Sequence, residues 1–257
     1  FEGLSILSLL IQKKRIPAVI WIQTAITFVA FVILFMAPGN EMRVASEITT
    51  WMPGYKELSV GNHLFMTIQW MLSSFANEGK AFFIAIWAAG FLLLVKSKKA
   101  KVYQSLAVVF SVVALLPYAG ISFFSEMGIG YIDIEQCLTE LPTWQTMTTQ
   151  NRIAFFWWIA AVLFTLVLLW KVTGHSVFIS MAFLGGIASE AVLHFSPTIY
   201  ASGARVYYLT DLMYLFIILW MVMRMDSEKK KNLFIAGAAA LGIINFLSQY
   251  SIMLLKL

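Results

Sequence analysis

The chain has 257 residues, of which 60% are hydrophobic and only 12% charged, with a mean hydropathy of +0.81. A soluble domain carries about 25% charged residues, so the composition excludes an ordinary soluble enzyme and defines an all-α, polytopic transmembrane helical bundle. The net charge of +5 is no nucleic-acid signal, because the basic residues lie in short tracts between apolar runs, where they orient membrane spans. One cysteine, Cys137, excludes an internal disulfide and any cysteine-based metal cluster and reads as an inert loop residue.

In chain order, residues 1–16 form a cytoplasmic or interfacial segment that closes on Lys13, Lys14 and Arg15. The opening Phe1-Glu2-Gly3, with neither an initiator Met nor a signal-peptide pattern, is expected of a C-terminal portion of a longer protein. Residues 17–36 are the first outward span, since about 20 apolar residues cross the hydrocarbon. Pro38 and Gly39 stop that helix, and Asn40 is placed to cap a new one carrying Glu41 and Arg43 in its first turn. A helix N-terminus with an arginine beside it at headgroup level suits a phosphate; the plainer alternative is an arginine snorkelling to ordinary lipid.

Residues 37–80 are expected to be an external loop with interfacial helices. Within it, residues 62–77 are apolar but short, and Glu78-Gly79-Lys80 is expected to interrupt them, giving a helix lying in the interface or re-entering. A second span at 81–95 ends at Lys96, Lys98, Lys99 and Lys101, and a third follows at 102–118. Residues 119–152 form the longest external loop, with Glu126, Asp133, Glu135 and Glu140. Spans at 153–170, 176–195, 206–223 and 233–252 complete about seven crossings in a single transmembrane domain. Twelve of the 18 basic residues then fall on the inner side, as the positive-inside rule asks.

Ionisable groups inside spans are costly and face a cavity or a partner. Glu190 and His194 lie four apart and share a helix face; Arg205 opens the next helix and Asp211 lies about two turns into it, so all four group near the outer leaflet, with Arg43 entering the same layer. Two readings stand: a buried ion-pair network that fixes packing, or a substrate site. Glu-x-x-x-His alone is a weak metal signal, because a site needs three or four ligands; no metal ligand set is assigned, and a divalent ion is a minor possibility. His63 and His175 read as interfacial. Trp21, Trp51, Trp144, Trp157 and Tyr200 form an aromatic belt, with sugar stacking as the alternative for Trp51 and Trp144. No Walker A loop, dinucleotide fingerprint or HExxH pattern supports cytoplasmic nucleotide chemistry.

At Pro38-Gly39-Asn40-x-x-Arg43, and again at Ser196-Pro197-Thr198 with Ser202-Gly203-Ala204-Arg205, the sequence resembles bacterial polytopic proteins grouped with the GT-C glycosyltransferases, similar to those that glucosylate O-antigens and cell-wall polysaccharides. The resemblance implies an inverting sugar transfer on the outer face of the bacterial cytoplasmic membrane, from a polyprenyl-phosphate-linked sugar to a glycan acceptor, with Arg43 and Arg205 clamping the donor phosphate. Asn40, Glu190, His194 and Asp211 join them as expected substrate-binding residues. The family places its catalytic acid in the first external loop, near the N-terminus, which this chain is expected to lack, so no catalytic residue carries over. The alternatives are a transporter or flippase for a lipid-linked glycan and a non-catalytic membrane scaffold.

Overall fold

The computed structural model describes residues 6, 9, 15–36, 39–119, 143–174, 177–193, 196–198 and 207–255. It is helical throughout, with no strand among the described residues. The helices are α1 (Ala18–Phe35), α2 (Gly39–Trp51), α3 (Val60–Ser74), α4 (Lys80–Leu94), α5 (Lys101–Leu115), α6 (Thr149–Val172), α7 (Val177–Leu193), α8 (Tyr208–Met223) and α9 (Glu228–Leu255). Three are long and apolar enough to cross a membrane: the continuous Val60–Leu94, Asn151–Val172 and Glu228–Leu247. Shorter apolar helices run over Ala18–Ala30, Val177–Ala191 and Tyr208–Met223. Helices of this kind satisfy every backbone group internally, which is what a bilayer demands.

The first departure from expectation lies at Glu78-Gly79-Lys80. These residues do not interrupt the helix. α3 passes into α4 through a single π-helical turn, Phe75–Gly79, and the two form one helical run of 35 residues. A π turn keeps the backbone hydrogen-bonded while widening the helix by one residue, so a charged Glu-Gly-Lys tract can be carried without a break. The segment expected at 62–77 therefore continues along the axis of the next helix. Its start is capped by Ser59, whose hydroxyl accepts from the Asn62 amide at 3.2 Å.

α4 is the hub. It packs on α5, α8, α6 and α9, while α7 rests on α8 and α6. Its centre is Trp87, fully buried, whose indole N–H donates to Thr165 Oγ1 of α6 at 2.8 Å; that hydroxyl donates in turn to the Ala161 carbonyl at 2.7 Å. Around it Phe110 stacks on Phe164 with centroids 4.8 Å apart, and Phe83 meets Trp158, Phe183 and Tyr214 edge-on. Lipid tails are as apolar as these side chains, so close fit rather than exclusion of water holds such a seam. Gly90 shows how close it is: a Cβ there would stand 2.7 Å from Leu168 Cδ2. α6 closes through Gly174, whose φ of 64° is the left-handed conformation that ends helices.

The basic end is tied by side chains. Gln104 Nε2 donates to the Leu94 carbonyl at 2.7 Å and the Ser97 carbonyl at 3.1 Å, fixing the α4–α5 turn. Asp226 bridges Lys96 at 2.7 Å and Lys230 at 2.9 Å, joining the end of α4 to the start of α9.

Candidate functional site

The π turn sets the site. It holds Glu78 within one turn of Ser74, at the junction of α3 and α4, against α7 and α8. On α7, Glu190 is almost fully buried at 1% exposure, and Ser74 Oγ donates a hydrogen bond to its Oε1. The same Ser74 hydroxyl lies 2.8 Å from the Met71 carbonyl of its own helix, which fixes its rotamer. On α8, Asp211 is half-buried and Thr210 Oγ1 donates to the Gly186 carbonyl of α7 at 3.0 Å. Gly186 lets the two helices meet: a Cβ there would touch Thr210 and Tyr214 at 3.6 Å. Tyr207, at the start of α8, is buried and hydrogen-bonds towards Ser74.

Three carboxyl groups from three helical segments thus converge, each close enough to feel the charge of another. They line one cavity with Ser74, Tyr207, Thr210 and Tyr214, of about 10 Å³, which is room for about one water molecule. Tyr214 is 1% exposed, and its hydroxyl has no hydrogen-bond partner among the described residues. Measured along the helices at 1.5 Å per residue, Glu78, Glu190 and Asp211 sit roughly 20–27 Å from the lysine-rich end. They therefore lie in the half of the bundle remote from the lysines. Carboxyl groups gathered between apolar helices are costly and point to a cavity or a partner.

Of the residues expected to bind substrate, Glu190 and Asp211 come together as expected. α2 begins at Gly39, so Asn40 falls in its first turn rather than ahead of it. Arg43 is exposed on α2, and its Nε donates to Glu47 Oε1 at 2.7 Å, one helical turn on. His194 and Arg205, with Pro38, lie outside the described residues, as do Cys137, His175 and the acidic residues of the 119–152 loop. Sequence reasoning missed Glu78, Ser74, Tyr207 and Tyr214. Glu78 was passed over because the Glu78-Gly79-Lys80 tract reads as a break between two apolar runs.

Trp144 sits in a built contact. The Arg152 guanidinium lies over its ring at 5.0 Å and donates to its carbonyl at 3.0 Å, while Phe65 and Phe155 meet the ring edge-on. Among the described residues no group of three or more His, Cys, Asp or Glu has an arrangement that could hold a metal ion. No family model, no curated protein and no solved structure matches the chain.

Proposed function

We propose that the chain is a membrane glycosyltransferase, or the C-terminal portion of one, that takes a sugar from a polyprenyl-phosphate carrier to a cell-surface glycan. The reading includes seven spans, a cytoplasmic N-terminal end and a carboxyl site at the outer face of a bacterial cytoplasmic membrane. The observation that carries it is the convergence of Glu78, Glu190 and Asp211 on one cavity in the half of the bundle remote from the lysines. It is supported by the resemblance at Pro38-Gly39-Asn40-x-x-Arg43 and at Arg205.

The chemistry needs a proton acceptor near the sugar and cations near the phosphate. As the acceptor hydroxyl oxygen bonds to the anomeric carbon, its proton passes to a carboxylate, and the bond from that carbon to the phosphate oxygen breaks with its electron pair. Glu78 is exposed and Asp211 half-buried, so these two reach a bound sugar, whereas Glu190, enclosed and held by Ser74, positions them. Arg43, exposed beside Glu47, exchanges that carboxylate for the donor phosphate, whose charge grows as the sugar leaves; Arg205 acts with it. Loss of a positioned base costs about 10²–10⁴-fold in rate. Glu78→Gln and Asp211→Asn are therefore expected to cut sugar transfer in membranes by that factor, and Arg43→Ala and Arg205→Ala to abolish donor use. Wild-type rates from both carboxyl variants, at matched protein levels, would reject the role given to the site.

One observation favours a second reading. The π turn inside a 35-residue helix is a place where a helix can bend, as a flippase for a lipid-linked glycan requires. Movement of a lipid-linked sugar across sealed vesicles without any acceptor would select the flippase, and transfer without movement the enzyme.

A further inference from the structure

At the opposite end of the bundle, and independent of the sugar-transfer site, lies a groove of about 550 Å³ between α4, α5 and α9. That volume is in the range of small-molecule pockets, roughly 300–1,000 Å³. Its wall is apolar. At the lysine-rich end it starts at Leu92 and Leu233, and at the far end it closes at Ile84, Leu115 and Ile244. Just beyond, the Tyr118 hydroxyl donates to Asn245 Oδ1 at 2.6 Å and seals it. At 1.5 Å per residue, the stretch of α9 from Leu233 to Ile244 covers about 16 Å. That is close to half of the roughly 30 Å hydrocarbon slab, the depth of one leaflet.

The mouth is cationic. Residues 96–101 supply Lys96, Lys98, Lys99 and Lys101, and residues 224–231 supply Arg224, Lys229, Lys230 and Lys231, against only Asp226 and Glu228. The two acids are occupied by Lys96, Lys230 and Lys231. Lys98, Lys99, Lys101 and Lys229 are exposed and form no ion pair among the described residues. α9 contributes little packing of its own: only 6% of its span is buried. On the groove wall, a Cβ added to Gly237 meets nothing within 4 Å.

We infer that the groove is a binding site for an anionic phospholipid of the cytoplasmic leaflet, with one acyl chain between α4, α5 and α9 and its phosphate among the free lysines. The groove's depth fits one leaflet's chain, its wall is apolar along that depth, and the only excess of charge at its mouth is positive. Basic collars between spans on the cytoplasmic side attract anionic headgroups at about 1 kcal/mol per lysine. The bound chain gives α9 the packing partner that protein side chains do not supply.

The test uses the full chain, purified in mild detergent and equilibrated with vesicles of phosphatidylglycerol and phosphatidylcholine in equal amounts. Retained lipid is read by native mass spectrometry. The wild type is expected to retain phosphatidylglycerol over phosphatidylcholine. Lys98→Gln and Lys99→Gln should each lower that preference roughly five-fold, the equivalent of one lysine's attraction. Gly237→Phe, which projects into open space and raises helix propensity, should fold with unchanged melting and lose most of the retained lipid. The inference is overturned if the wild type retains no lipid, retains both lipids equally, carries a polyprenyl phosphate in the groove instead, or covers α9 with a second copy of itself.

Discussion

The two ends of this bundle carry charge in opposite ways. At the lysine end most of the charges are exposed, and some form short pairs, such as Asp226 with Lys96 and Lys230. At the carboxyl end they lie between helices, with Glu190 enclosed and held by Ser74. Exposed pairs add little stability, because water screens them and the long side chains lose entropy. A buried carboxyl such as Glu190 is expensive to keep, so its persistence speaks for a role, whereas an exposed lysine costs little where it stands. α4 joins the two ends, so damage to its middle should affect both and damage to either end should stay local.

The largest effect is expected in that middle. Trp87→Ala removes a fully buried ring and its bond to Thr165 and should cost about 3–5 kcal/mol. Detergent-solubilised protein should melt markedly lower, and the carboxyl site and the lysine end should loosen together in hydrogen exchange. If only one end loosens, α4 does not couple them. At the carboxyl end, Ser74→Ala leaves the enclosed Glu190 short of its hydroxyl donor and should cost about 1–3 kcal/mol, with exchange rising in α7 and α8 but not in the α4–α5 turn. Unchanged melting would mean that Glu190 is satisfied without Ser74.

The smallest effect belongs to Asp226. Hydrogen bonds from Lys96 and Lys230 hold its carboxyl down at about 2, below the ordinary 3.8. The group binds protons less readily folded than unfolded, so its contribution is present above about pH 4 and is lost as pH falls towards 2. Asp226→Asn should therefore melt slightly lower than wild type at neutral pH, and the two curves should meet near pH 2. A gap that stays constant across that window would show that the bridge is not the source. On the proposed reading, sugar transfer should be unaffected by Asp226→Asn, in contrast with Asp211→Asn at the other end.

The amino-acid sequence by itself determined that the chain is all-helical with helices apolar enough to cross a membrane, where most helices run, and which end is basic. Composition and the length of apolar runs act through local physics, since a bilayer accepts only self-satisfied backbone and short cationic loops. It also put Glu190 and Asp211 in one layer, because both lie near the same end of neighbouring antiparallel helices. Glu78 was not read as their partner, because a Glu-Gly-Lys tract reads as a break; in the folded chain a π turn carries it within one continuous helix, and it lines the same cavity. The enclosed Tyr214 hydroxyl and the groove beside α9 were equally out of reach. They depend on which faces of distant helices meet and how tightly, and tertiary packing alone decided that.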